Sequence, residues 1–257
     1  MKAIILAAGM GSRLGDLTKH KPKCLVTLWG ESLLERQLRQ LNEVGIQDTL
    51  IVAGYQSEKI KAIWSNIAIN PEFKTTNMVY SLTFALSWLH SFSDEEVLIL
   101  YADIAYNTRH LKLLLDHQSH YPVTVLGNTL WWDLWQQRMA NPLDDAETFK
   151  YGKDGKLLEI GKKTTNINDI MAQYMGMLKI KRQLLTQSLI NYRGALSQAQ
   201  IDKNQADKNM YMTDFLQSLI AKGMVCTQLI DGQWIELDTI EDYALYSNKT
   251  PASFGVD

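Results

Sequence analysis

Apolar residues fall into short dense runs, separated by stretches that are polar or apolar at helical spacing. Lys2 to Ala7 is one such run, closed by Gly9 and Gly11, and it predicts a buried strand. Residues 8–30 are a long polar loop carrying Pro22. From Glu31 to Val44, Leu34, Leu38 and Leu41 share one face and Gly45 supplies a stop, so a helix is expected there. Further strands are predicted at Thr49 to Ala53, Ile67 to Ile69 and Val97 to Tyr101, and helices at Ser57 to Trp64 and Met78 to Leu89. Strand and helix alternate, which predicts an α/β fold with a mostly parallel, doubly wound sheet. Ligands of such sheets sit beyond the carboxyl ends of the strands. Two segments occupy those ends: the loop after Ala7, and Asp103.

After about residue 120 the pattern changes. Strands are expected at Val123 to Gly127, Lys156 to Ile160, Gln173 to Ile180, Val225 to Ile230 and Gln233 to Leu237. Between the first two lies a Trp- and Asp-rich stretch that reads as a loop. Helices are expected at Arg182 to Tyr192, Met210 to Ala221 and from Thr239 onward. Residues 194–209 are polar enough for a mobile loop. This half is expected to complete the sheet and add a lid.

The chain has 257 residues, enough for one domain with its own core. Its 28 acidic and 26 basic residues leave no basic excess, which argues against a nucleic-acid partner. No apolar run approaches a membrane span, and none has the form of a signal peptide. Cys24 and Cys226 lie in no metal-ligand pattern, which suits reduced thiols in the cytoplasm. The five histidines, His20, His90, His110, His117 and His120, show no ligand spacing and are expected at the surface.

The chemistry concentrates in Leu6-Ala7-Ala8-Gly9-Met10-Gly11-Ser12-Arg13-Leu14, followed by Lys21-Pro22-Lys23. Glycines after a strand let the backbone approach phosphate oxygens. Arg13 adds a planar charged fork, and Lys23 a compact charge. The spacing is not that of a P-loop, and Leu14 stands where a dinucleotide fingerprint has its third glycine. Asp103 and Asp238 each end an apolar stretch. Either could be a metal ligand, and Asp238 could equally cap the helix that follows it.

The glycine run and Pro22-Lys23 resemble the signature of the nucleotidyltransferases that activate sugar phosphates, phosphocholine and related compounds. The resemblance implies a Rossmann-like fold and a cytoplasmic enzyme acting on an NTP and a phosphorylated acceptor. It implies that Leu6, Ala7, Ala8, Gly9, Gly11, Ser12 and Ala102 contact the nucleotide, with Arg13 and Lys23 on the reacting phosphates. It further implies that Asp103 and Asp238 hold Mg²⁺, with Mn²⁺ as a substitute. Ala102 departs from the glycine usual before the first aspartate.

Other runs narrow the branch: Thr76 to Leu82, Asn141 to Glu147, Ile160-Gly161-Lys162-Lys163, Gln173-Tyr174-Met175-Gly176 and Asn209 to Thr213. They resemble the cytidylyltransferases of phosphocholine, aminoalkylphosphonates and, in capsule synthesis, glutamine phosphate, the last most of all. CTP and a phosphorylated small molecule are then the expected partners, and a homodimer would be compatible. Asn77 and Ser81, one helical turn apart, could read a base, or serve as a helix cap and a bystander. Lys162, Gln173, Tyr174 and Trp132 are the acceptor candidates. Lys162 could also be a solvated lysine, and Trp131, Trp132 and Trp135 a packing patch. The expected organisation is one domain, 1–257, with a nucleotide-binding half at 1–120 and an acceptor half and lid at 121–247. Two alternatives stand beside it: a sugar-1-phosphate nucleotidyltransferase using UTP, dTTP or GTP, and a regulatory nucleotide-binding module.

Overall fold

The computed structural model describes residues 1–201 and 207–257. Its centre is a seven-stranded sheet. In chain order the strands are β1 (Lys2–Ala7), β2 (Thr49–Ala53), β3 (Ile67–Ile69), β4 (Glu96–Tyr101), β6 (Val123–Asn128), β9 (Gln173–Lys181) and β10 (Val225–Ile230). They lie in the order β10-β6-β9-β4-β1-β2-β3. Every pairing is parallel except the two made by β9, which runs antiparallel between β4 and β6.

Helices cover both faces, which is why the central strands are continuous apolar runs rather than alternating ones. Along β1, Ala3, Ile5 and Ala7 enter one core layer and Ile4 the other. The first layer includes α1 (Leu33–Glu43), α5 (Arg109–Asp116), α6 (Trp131–Arg138) and α9 (Ile240–Ser247). The second includes α3 (Met78–Leu82), α4 (Leu86–Leu89), α7 (Arg182–Ile201) and α8 (Met212–Ile220), whereas the short α2 (Ser57–Lys61) adds Ile60 to the first. α1 starts at Leu33 rather than Glu31 because Ser32 and Glu35 form a capping box. Its fully buried Leu33, Leu34 and Leu41 each contribute roughly 1.5–3 kcal/mol.

Among the described residues, two ribbons besides the short Thr27–Leu28 and Glu31–Ser32 pair stand outside the sheet. β7 (Glu147–Tyr151) pairs with β8 (Leu157–Lys163), so the strand expected at Lys156 to Ile160 does not complete the main sheet. β5 (Ile104–Tyr106) pairs with β11 (Trp234–Glu236). The Trp-rich stretch is not a loop. Trp131, Leu134 and Trp135, at spacings of three and four, bury one side of α6. The loop expected at 194–209 is helical as far as Ile201; residues 202–206 lie outside the described residues. His110 is not at the surface. It is fully buried in α5, with both ring nitrogens unpartnered. No helix among the described residues is long and apolar enough to cross a membrane.

Candidate active site

The loop after β1 turns sharply at Gly11, whose φ of 65° is left-handed. A Cβ there would stand 2.7 Å from Lys23 Cβ. The glycine is therefore needed for two reasons: its backbone conformation, and the lysine stem packed against it. The Thr18 hydroxyl donates to the Gly11 carbonyl at 2.8 Å and fixes the turn.

Lys23 follows Pro22 and reaches the sheet's carboxyl edge. Its Nζ donates to Asp103 Oδ2 at 2.7 Å and also bonds Asp238 Oδ1. Asp103 sits in the two-residue connection between β4 and β5. Asp238 follows β11, and the helix cap beside it is Thr239, which accepts from the Asp242 amide. The choice between ligand and cap therefore falls to Thr239 as the cap, and Asp238 keeps its carboxylate for the site. Arg13, 63 % exposed, reaches Asp238 Oδ1 at 3.2 Å.

Glu236 joins them. One ligand oxygen from each of Asp103, Glu236 and Asp238 lies within 4.8 Å of the others. Two positions apart at the end of a strand, Glu236 and Asp238 share a face; that spacing was the sequence signal for Glu236, and it passed unread. Burial disfavours charge on Lys23, but Asp103, Asp238 and Glu236 outweigh it and hold its pKa above the ordinary range. Burial would raise Asp238, yet Lys23, Arg13 and Arg138 hold it below its usual value. Glu236 is pushed well above its usual value by burial and then by Asp238 and Asp103. Asp103 Oδ1 is buried with no hydrogen-bond partner. An oxygen-only set of three carboxylates with one orphaned oxygen fits a hard divalent cation.

Two cavities meet at these carboxylates. The first, about 650 Å³, is walled by Leu6, Ala7, Ala8 and Gly9, by Asn77 and Ser81, and by Lys23, Ala102 and Asp103. Gly11 and Ser12 are not on its wall. Asn77 is the N-cap of α3, accepting from the Met78 amide at 2.8 Å. The Ser81 hydroxyl accepts from Asn70 Nδ2 at 2.9 Å and donates to the Asn77 carbonyl at 3.1 Å. Ser81 thus shapes the wall through Asn77.

The second cavity, about 900 Å³, is lined by Arg13, Glu236 and Asp238 and also by Gln173, Tyr174, Asp145 and Glu147. Gly161 and Thr213 pack there so closely that a Cβ on Gly161 would stand 2.4 Å from Thr213 Cβ. Two distant runs singled out in the sequence thus meet on one wall. Lys162 is elsewhere: it is 61 % exposed and paired with Glu159. Trp132 is also off the wall, where Trp135 takes the place.

A doubly wound sheet carrying two adjoining cavities and a shared acidic cluster at its carboxyl edge defines a nucleotidyltransferase. The chain belongs to the MobA-like NTP transferase family, whose domain matches residues 3–153. It is 35 % identical to a CTP:phosphoglutamine cytidylyltransferase of Campylobacter jejuni, over 97 % of this chain and all of that one. Two solved structures share the fold. The CTP:phosphocholine cytidylyltransferase of Streptococcus pneumoniae superimposes with a TM-score of 0.65 at 21 % identity, covering 96 % of this chain and 97 % of the other. The inositol-1-phosphate CTP transferase of T. maritima gives 0.69 at 17 % identity, covering 100 % and 97 %.

Proposed function

We propose that the protein is a magnesium-dependent cytidylyltransferase that joins CMP from CTP to a phosphorylated or phosphonate small molecule. An acceptor oxygen attacks the α-phosphorus in line, the bond to the β-phosphate oxygen breaks, and pyrophosphate leaves. The carrying observation is the seam: Asp103 faces the first cavity, Glu236 and Asp238 face the second, and the three converge. A reaction between two bound molecules needs its charged centre at that border.

In this reading residues 1–120 supply the nucleotide half, because every residue on the first cavity's wall comes from them. The backbone of Leu6, Ala7, Ala8 and Gly9 and the side chain of Asn77 hold the nucleoside. Gly11 and Ser12 shape the phosphate turn. Arg13 and Lys23 offset charge gathering on pyrophosphate, Lys23 by passing its ammonium from the carboxylates to the phosphates. Residues 121–247 supply most of the acceptor half, with Gln173 and Tyr174 on its wall. Asp103, Glu236 and Asp238 would hold Mg²⁺ (or Mn²⁺), which when bound neutralises the phosphate oxygens and polarises the phosphorus.

The choice of CTP and of L-glutamine phosphate as acceptor is supported by the Campylobacter relative, matched along its whole length. The test is incubation with Mg²⁺, each of the four NTPs and a panel of phosphorylated acceptors, read by mass spectrometry and pyrophosphate release. A CMP adduct of glutamine phosphate is expected. A nucleotide–sugar product would overturn the acceptor assignment, and no pyrophosphate with any pair would overturn turnover itself.

A further inference from the structure

We infer that the second cavity selects acceptors carrying a protonated primary amine, held by the carboxylates of Asp145 and Glu147. This rests on the transfer reaction proposed above and specifies its acceptor class. Arg13, the one cationic side chain on the cavity's wall, pairs with Asp238, whereas Asp145 and Glu147 line the same cavity. Among the described residues, neither Asp145 nor Glu147 forms an ion pair. Asp145 Oδ2 accepts only the indole N–H of Trp135, at 3.1 Å. Lys163, which offsets part of the charge on Glu147, donates its Nζ to the Asp144 and Asp145 carbonyls at 3.3 and 3.0 Å. Burial lifts the Glu147 carboxyl above its ordinary value, as expected for a carboxylate short of counter-charge.

Gln173 adds to this set. One of its two side-chain N–H groups is taken by the Glu147 carbonyl at 2.7 Å, which holds the amide beside Glu147 and leaves its oxygen able to accept. The two carboxylates and the Gln173 oxygen are acceptors that an ammonium with several N–H donors satisfies. An uncharged sugar hydroxyl would leave two carboxylates uncompensated in a cavity that also takes in a phosphate.

The geometry also separates a primary from a quaternary ammonium. A quaternary group has no N–H and is bound by aromatic faces. Trp135, the tryptophan on the wall, is already engaged: it stacks on Trp234 with centroids 6.0 Å apart and 7° between planes, and the Arg138 guanidinium lies 4.8 Å from its centroid. Tyr101 and Tyr174 pack edge to face on each other. Tyr211, 59 % exposed, is the one wall ring without a ring contact among the described residues, and a single open face does not make the aromatic cage that a quaternary group takes.

The experiment compares three acceptors with one phosphate in common: O-phosphoethanolamine, phosphocholine and ethyl phosphate. Each is assayed by pyrophosphate release with Mg²⁺ and saturating nucleotide. We expect kcat/KM for phosphoethanolamine to exceed both others at least tenfold. Glu147→Gln and Asp145→Asn, each checked for folding by thermal melting, should cut that advantage about tenfold while leaving CTP affinity in calorimetry unchanged. If none of the three is turned over, the same order is sought in calorimetric binding to the nucleotide-loaded protein. Equal values for the three, in rate or in binding, or an advantage that survives in both variants, would overturn the inference. Failure of the transfer reaction itself would show separately, as no CTP binding and no pyrophosphate with any acceptor.

Discussion

The Leu237 amide donates to the Asp103 carbonyl oxygen at 2.9 Å. This backbone bond extends the β5–β11 ribbon by one step and sets Asp238 beside Asp103. Lys23 is then bound by both carboxylates. Asp103→Asn or Asp238→Asn is expected to lower kcat about 1000-fold, a loss of about 4 kcal/mol at the transition state. The fold should persist, because the ribbon is held by backbone bonds. Melting curves and initial rates at low Mg²⁺ check both points, and near-normal kcat in a folded variant would remove that residue from the site.

Glu236 gives a second test. If it completes the cation site, Glu236→Gln should weaken Mg²⁺ binding about tenfold or more, with smaller change in CTP affinity measured without metal. Titration calorimetry with Mg²⁺ or Mn²⁺ alone measures it. An unchanged metal affinity would leave Glu236 a buried neighbour only.

Gly11→Val introduces a β-branched residue at a left-handed φ and drives its Cβ into the Lys23 stem. Both nucleotide affinity and kcat should fall, each by at least tenfold. Unchanged CTP binding by calorimetry in a folded Gly11→Val protein would contradict this.

Nucleotide choice is a fourth prediction. CTP should be preferred over UTP at least tenfold in kcat/KM, since a mismatched base edge leaves buried polar groups unpaired at about 1–3 kcal/mol each. Asn77→Ala should narrow the gap, because Asn77 is on the cavity wall. Competition kinetics with equal CTP and UTP decides the matter; equal use, or preference for another NTP, would return the protein to the sugar-activating branch.

A fifth concerns stability. Burial, and then nearby Arg109, depress His110 from 6.5 to about 4 in the folded chain. The folded state thus favours the neutral ring. Its contribution is complete above pH 6.5 and is lost as pH falls toward 4, by about 3 kcal/mol. Denaturant unfolding between pH 8 and 4.5 should show the decline, and His110→Phe should flatten it. An equal decline in the variant would assign it to other groups.

Much of residues 1–120 was legible because it is written in local signals. An apolar run ending in glycines marks β1, and the Ser32–Glu35 cap and Gly45 stop bracket α1. Residues 121–247 are built from contacts distant in sequence. Nothing local tells β8 to pair with β7 rather than join the sheet, or brings Asp145 to the same cavity as Arg13. The α6 helix was hidden by composition, although Trp131, Leu134 and Trp135 carried the helical spacing. His110 was hidden differently: a titratable residue buried without partners breaks the usual surface preference.

The β5–β11 ribbon joins carboxylates more than 130 positions apart in the chain into one charged centre. Glu236 and Asp238 share a face of its second strand, so a slip of that strand by a single residue would turn both to the opposite face and part them from Asp103. The alignment of two short strands is thus what keeps the border of the two cavities charged.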